Sequence, residues 1–98
     1  MIRRIVKMTF RKEETEAFRS IFQSSAPHIR SMPGCRHLEL WQDQDDERVF
    51  FTFSFWESKQ DLENYRMSPL FTSTWEKTKA LFDDRPQAWS VDQREEHP

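Results

Sequence analysis

The chain has 98 residues, a net charge of −2 and a hydrophobic fraction of 36%. This length predicts one domain, since typical domains contain about 100–150 residues, and nine phenylalanines with four tryptophans are more rings than disordered segments carry. The charge argues against nucleic acid as a partner, because phosphate binding needs clustered Lys and Arg, and no apolar run reaches the roughly 18 residues of a membrane span.

The first third of the sequence predicts a strand followed by a helix. Residues Ile2 to Phe10 alternate as a strand does, and the helical period takes over from Lys12 to Ser25. We expect Pro27 to kink or break this helix, leaving a short further turn through Arg30. The apolar face of the strand holds Ile2, Val6, Met8 and Phe10.

Two further strands are predicted in the middle of the chain, joined by a polar hairpin loop over residues 43–47. The first runs from Cys35 to Gln42 and the second from Arg48 to Trp56. In the first strand, Leu38 and Leu40 alternate against His37, Glu39 and Trp41. The second strand has one semi-apolar face and one wholly apolar face, so we expect both faces to be covered. The wholly apolar face holds Val49, Phe51, Phe53 and Phe55.

The last third predicts two consecutive helices and a short strand. Ser58 and Asp61 form a capping box at the start of a helix that runs to about Met67. Ser68-Pro69 is the pattern of an N-cap followed by proline at the first helical position, so a second helix begins there. The last strand runs from Gln87 to Asp92.

The predicted order is strand, helix, strand, strand, helix (split in two), strand, which is the ferredoxin-like α+β pattern. We therefore predict a four-stranded antiparallel sheet with helices on one face, in a domain over residues 1–92 with a frayed polar tail over residues 93–98. The other face would expose the phenylalanine row of the third strand, on the order of several hundred Å², which soluble monomers rarely tolerate. A homodimer with facing sheets is the predicted solution.

The sequence predicts neither a metal site nor a disulfide. Cys35 is the one cysteine, which excludes an internal disulfide and a thiolate cluster and fits a reducing cytoplasm. The acidic run over residues 43–47 lacks the glycine turn and distal Glu of a calcium loop. No histidine pair has the helical i, i+4 spacing of metal ligands. We expect a cytoplasmic protein without a metal.

Two segments carry a resemblance to a known family. Residues 55–71 resemble the central signature of the antibiotic biosynthesis monooxygenase domains, and Met32-Pro33-Gly34-Cys35 resembles the Pro-Gly turn of the same family. The resemblance covers roughly Ile2 to Val91. The matching positions in the signature are Trp56, Tyr65, Ser68 and Phe71.

The resemblance implies a dimeric α+β barrel, a homodimer through the open sheet face, and several candidate activities. One group of the family oxidises phenolic or hydroquinone-like polyketides with O₂ and no cofactor, while other members isomerise or hydrolyse small ring compounds. The leading hypothesis is a cofactor-independent monooxygenase, an oxidoreductase acting on a small aromatic or quinol-type substrate. The alternative from another class is a non-catalytic small-ligand-binding or stress-associated dimeric module.

A third group of the family degrades haem, and two positions count against that activity here. The group resembles this chain at Trp56 and Ser58, but the place of its axial histidine is occupied by Trp75. The place of its polar Asn on the first strand falls at Lys7 or a neighbour. The histidines of this chain lie elsewhere, at His28, His37 and His97.

Cofactor-free oxygenation asks a protein for a dry aromatic pocket, a base or hydrogen-bond acceptor, and donors for a developing oxyanion. We predict Tyr65 and His37 as catalytic residues. The predicted substrate-binding residues are Trp56, Trp75, Trp41 and Arg36. Each has a structural alternative: Tyr65 as an ordinary amphipathic-helix residue, His37 as an exposed strand histidine, and the tryptophans as core. An enclosed cavity of about 300 Å³ or more with convergent polar groups would favour catalysis, whereas a cavity filled by rings would indicate a structural protein.

Overall fold

The strands and helices follow one another along the chain in the order that the sequence predicts. The computed structural model describes residues 1–98. Its elements are β1 (Ile2–Thr9), a 3-10 turn (Lys12–Glu14), α1 (Thr15–Arg30), β2 (Cys35–Gln42), β3 (Val49–Trp56), α2 (Lys59–Arg66), α3 (Pro69–Lys79) and β4 (Gln87–Val91). Residues 92–98 form no helix or strand.

The four strands form one antiparallel sheet in the order β2-β3-β1-β4. Val6 of β1 lies opposite Thr52 of β3 on one side and Ala88 of β4 on the other. The helices pack on one face of this sheet, so the predicted ferredoxin-like α+β fold is confirmed. Because side chains alternate across a strand, even-numbered residues of β1 and β3 face the helices and odd-numbered residues face the open side.

The core between sheet and helices has two centres. The first is a phenylalanine cluster in which the Phe10 and Phe18 rings stack at 4.2 Å between centroids and Phe50 packs edge-on against both. The second is built around Trp56 and Leu62, with Ile29 and Cys35 beside them. Space remains between these two clusters, and the candidate site lies there.

The prediction that Pro27 breaks the first helix is wrong. Helix α1 continues through Pro27 to Arg30. Pro27 is exposed and removes one backbone donor from the helix ladder, and the bonds at the helix end keep the chain helical. Its carbonyl accepts bonds from the Ser31 backbone N–H (3.1 Å) and hydroxyl (2.8 Å), which hold the helix end in place.

Both predicted N-caps of the second half are confirmed. The Ser58 hydroxyl oxygen accepts a bond from the Asp61 backbone N–H at 3.0 Å, and the Ser68 hydroxyl oxygen accepts one from the Phe71 N–H at 3.1 Å. The turn before β2 needs Gly34, whose φ is +83° and whose added Cβ would overlap the Asp61 side chain. These contacts fix where α2 and α3 start relative to the sheet.

The open sheet face is apolar and aromatic, as predicted. The Phe53 ring stacks on Trp41 at 4.6 Å and contacts the Phe55 ring edge-on at 5.0 Å. Trp89 of the edge strand β4 is 44% exposed, and Trp41 is 39% exposed. No element of the same chain covers this face.

None of the helices combines the length and apolar character needed to cross a bilayer. The longest helix, α1, has 16 residues. The cytoplasmic location stays a prediction from the sequence.

Candidate functional site

A cavity of about 290 Å³ lies between the helix-facing side of the sheet and the three helices. This volume is at the lower end of the range for ligand pockets, which starts at about 300 Å³, so a molecule that fits it would have a single ring or a small fused-ring system. The walls are mainly apolar, and their Phe and Trp side chains line the cavity without filling it. The aromatic residues that line it are Phe18, Phe22, Trp56, Tyr65, Phe71 and Trp75.

Four of these rings form a continuous row along α2 and α3. Trp56 and Tyr65 stack at 4.9 Å with an interplanar angle of 18°. The Phe71 ring then contacts Tyr65 edge-on at 5.3 Å and stacks with Trp75 at 5.8 Å. The Ser68 cap turns the chain between the two helices, which brings Tyr65 and Trp75 to one wall. Such a wall favours flat aromatic ligands, because ring faces pack well on ring faces.

Trp56 has a scaffolding position within this wall. Only 1% of its surface is exposed, and its indole Nε1 donates a hydrogen bond to the Ser54 hydroxyl at 3.0 Å. Two further buried hydroxyls in the lining are also occupied within the protein: Ser25 donates to the Ile21 carbonyl and Thr78 to the Thr74 carbonyl. The polar atoms of these residues therefore already have hydrogen-bond partners within the protein.

The Tyr65 hydroxyl is different, because no other group of the chain forms a hydrogen bond with it. Tyr65 lines the cavity, and since no buried side-chain polar atom is left unpaired, its hydroxyl has accessible surface. Burial raises the pKa of Tyr65 to about 12, with a smaller contribution from Cys35. At neutral pH Tyr65 is therefore a neutral phenol that donates a hydrogen bond, and not a base.

Tyr65 is the one tyrosine of the chain, so its ionisation can be measured directly. We expect the tyrosinate absorbance of the folded protein to titrate near pH 12, against about 10 in urea. A midpoint at 10 in the folded protein would contradict a buried hydroxyl.

The raised pKa of Tyr65 determines in which direction the stability of the protein changes with pH. Between pH 10 and 12 the unfolded chain loses the Tyr65 proton while the folded chain keeps it. The free energy of unfolding should therefore fall over this range by up to about 2–3 kcal/mol more in the native protein than in Tyr65→Phe. Denaturant unfolding of both proteins measures this difference. The contributions of the other titrating groups are the same in both proteins and cancel when the two free energies are subtracted.

Arg4 is a cavity residue that the sequence reasoning missed. It lies on β1, faces the helices with Val6 and Met8, and lines the cavity. Its Nη1 donates a hydrogen bond to the Ser90 hydroxyl of β4 at 3.0 Å. Burial lowers the pKa of Arg4, yet a guanidinium stays protonated in proteins. A signal was present in the sequence, since Arg4 interrupts the otherwise apolar alternating face of β1.

The structure brings three of the six predicted site residues together and separates the other three. Tyr65, Trp56 and Trp75 line the cavity, whereas His37, Trp41 and Arg36 do not. His37 and Trp41 lie on the open face: the His37 ring packs on Phe55 at 4.9 Å and its Nε2 pairs with Glu39.

Arg36 lies at a β-bulge of β2 and is bound to a carboxylate rather than aimed at the cavity. Its Nε donates to the Glu57 carboxylate at 2.9 Å. Strand alternation sends His37 and Trp41 away from the helices, and Arg36 at the bulge is bound to Glu57, so one pocket does not include all six residues. Roles for His37, Trp41 and Arg36 in binding or catalysis remain predictions.

The lining contains no histidine, aspartate or glutamate, and its charged groups are Arg4 and Arg66. A ligand in the cavity therefore meets hydrogen-bond donors and no side-chain base. The cavity also offers no histidine that could bind a haem iron. Trp75 lines the cavity at the position where the haem-degrading group has its axial histidine, and His37 lies on the other side of the sheet.

Comparison with known proteins assigns the family. A sequence model described as antibiotic biosynthesis monooxygenase matches residues 1–77, which is most of the chain. The chain belongs to the antibiotic biosynthesis monooxygenase family. The resemblance predicted from the signature around Trp56 and Tyr65 is thereby confirmed. A comparison with curated proteins found no match.

Solved structures agree with the antibiotic biosynthesis monooxygenase fold. One crystallised antibiotic biosynthesis monooxygenase superposes with a TM-score of 0.91 at 18% identity, covering 97% of this chain and 100% of its own. A conserved protein from Methanosarcina mazei Go1 gives 0.90 at 15% identity, with 95% and 92% covered. A protein from Mycobacterium tuberculosis gives 0.88 at 18% identity, with 99% and 98% covered. At these identities the likeness extends to the fold.

Proposed function

We propose that this protein is a cofactor-independent monooxygenase that oxidises a small aromatic or quinol-type substrate with O₂. Membership of the antibiotic biosynthesis monooxygenase family supports the reaction class. The observation that carries the proposal is the aromatic cavity of about 290 Å³ that Tyr65 lines with an accessible hydroxyl. A flat, electron-rich ring fits such a cavity, and a neutral phenol is the hydrogen-bond donor that its oxygen requires.

The chemistry follows from what the lining offers. Because no side-chain base lines the cavity, the substrate gives its proton to solvent and reacts as its anion. That anion passes an electron to O₂, and recombination forms a carbon–oxygen bond. Where the reacting carbon is a CH₂ group, one oxygen atom stays on it as a carbonyl as the O–O bond breaks. The other oxygen leaves with the second hydrogen as hydroxide, which takes up the first proton again from solvent to form water. Tyr65 donates its hydrogen bond to the substrate oxygen, which stabilises charge in a dry site.

Oxygen uptake tests this function. With a panel of hydroquinones and anthrones, we expect uptake above the rate in buffer and a fall of about 100-fold in kcat for Tyr65→Phe, the size expected for a lost oxyanion donor. The matched control is Thr72→Val, which removes an exposed hydroxyl from α3 and should leave the rate unchanged. Uptake equal to that of buffer across the panel would rule out the enzyme.

A second function, a non-catalytic small-ligand-binding module, is favoured by one specific observation. The lining lacks a carboxylate and an imidazole, so the cavity is equipped for binding more fully than for proton transfer. This function predicts that an aromatic ligand raises the melting temperature of the protein without being turned over. Product analysis after incubation in air separates the two functions.

We also propose that the chain forms a homodimer through its open sheet face. The row of Phe51, Phe53 and Phe55 together with Trp41 and Trp89 is larger and more apolar than single exposed residues on a soluble surface. A two-fold contact between identical faces would cover both copies at once.

A further inference from the structure

We infer that the cavity selects aromatic ligands that carry one anionic oxygen group, a carboxylate or an ionised phenol, and that Arg4 is the residue that selects them. This inference rests on the proposed function in that it names the ligand class of the same cavity. It concerns binding alone, so it can be tested without turnover.

Arg4 is the one arginine that both lines the cavity and forms no ion pair with a carboxylate. Arg11, Arg36, Arg48 and Arg66 each form an ion pair with an Asp or Glu side chain. Arg4 forms none within 4.0 Å, and its side-chain bond goes to the neutral hydroxyl of Ser90. Since a guanidinium has five N–H donors, most of the hydrogen-bonding capacity of Arg4 remains for a ligand.

The surroundings of Arg4 make an anion favourable. Arg66 also lines the cavity, and its repulsion of Arg4 is opposed by Glu63, which lies 3.5 Å from the Arg66 guanidinium. No acidic side chain lines the cavity itself. Glu63 pairs with Arg66 and forms no ion pair with Arg4, so the charge of Arg4 is only partly compensated. The attraction of a ligand anion is also stronger away from water. An anionic ligand therefore offsets the cost of burying the Arg4 charge, whereas a neutral ligand does not.

The shape of the cavity indicates that the ligand also has an aromatic ring. The wall of Trp56, Tyr65, Phe71 and Trp75 accepts a flat ring system, and Arg4 lies on the sheet side of the same cavity. A guanidinium binds a carboxylate through two parallel hydrogen bonds, whereas a phenolate offers one oxygen. Both ligand types combine an aromatic ring with an anionic oxygen group, and matched probes distinguish between them.

Calorimetric titration with two probe pairs tests the inference. The first pair is 2-naphthoate and the neutral 2-naphthamide; the second is 4-nitrophenolate and the neutral 4-nitroanisole. We expect the native protein to bind at least one anion roughly 10-fold or more tightly than its neutral partner, as charge-assisted hydrogen bonds imply. Preference for naphthoate identifies carboxylates as the ligand type, and preference for nitrophenolate identifies phenolates.

Variants assign the preference to Arg4. Arg4→Gln should weaken binding of the preferred anion roughly 10–100-fold while changing the neutral partner less than about 3-fold. The control Arg19→Gln removes an exposed cation of α1 that does not line the cavity, and it should change the affinity for the anion less than about 3-fold. Arg4→Lys keeps the charge and should retain part of the preference.

Several results would overturn the inference. Equal affinity for both members of each pair in the native protein would do so, even if Arg4→Gln failed to fold. So would a loss of the same size for charged and neutral probes in Arg4→Gln, or the absence of anion binding at millimolar concentration. Missing O₂ uptake with anion selectivity intact would count against the proposed reaction alone.

Discussion

Phe53→Lys is expected to convert the proposed homodimer into a monomer. Phe53 lies at the middle of the interior strand β3 and stacks on Trp41 at 4.6 Å, so it occupies the centre of the open apolar face. A lysine there would have to place an unpaired ammonium in an apolar interface, which is far more costly than leaving it in water. We expect the dimer dissociation constant to rise at least about 100-fold, or roughly 2.7 kcal/mol.

Sedimentation velocity at micromolar concentration measures this effect. The matched control is Ala17→Lys, which introduces the same charge on the exposed side of α1 and should leave the dimer unchanged. The Phe53→Lys monomer should keep its fold, because the Phe53 side chain points away from the helix-side core. A native protein that sediments as a stable monomer would refute the homodimer, whatever the variants do.

Trp56→Ala is expected to lower the free energy of unfolding by about 3–5 kcal/mol. Trp56 is the largest buried side chain: it packs with Ile29, Cys35 and Leu62, and it stacks on Tyr65. Its removal opens a hole beside the cavity and leaves the Ser54 hydroxyl without its donor. Domains are stable by only about 5–15 kcal/mol, so this one change removes a large share.

Urea unfolding at a fixed protein concentration measures the loss, since dimerisation would make the midpoint depend on concentration. Met67→Ala is the control: Met67 is 74% exposed, and its removal should change stability by less than about 0.5 kcal/mol. Trp56→Phe should fall between the two because it keeps a ring in the stack and loses the indole donor. A loss below about 1 kcal/mol in Trp56→Ala would contradict a structural role for Trp56 in the wall.

The local patterns of the chain were sufficient for most of the fold. The caps at Ser58 and Ser68, and the alternation along β1 and β3, are short-range features with one dominant physical outcome each. Pro27 shows the limit of such reasoning: a proline removes one backbone donor from a helix, yet α1 continues through it, and bonds from Ser31 to the Pro27 carbonyl hold the helix end.

The candidate site was predictable only in part. Tyr65 and Trp75 could be placed in one wall because the Ser68 turn sets their helices side by side. The alternation of β2 already separated His37 and Trp41 from Leu38, which lines the cavity, but the sequence does not say which face the helices cover.

The order of the elements, the antiparallel ferredoxin-like sheet and the apolar sheet face are predictable from the amino-acid sequence, because hydrophobic periodicity and capping are local. Three properties appear only once the chain is folded: the two core clusters leave a cavity, Tyr65 lines it as a neutral donor, and Arg4 lines it without a carboxylate partner. These properties depend on which side chains from distant strands and helices meet, and on how much water is excluded where they do.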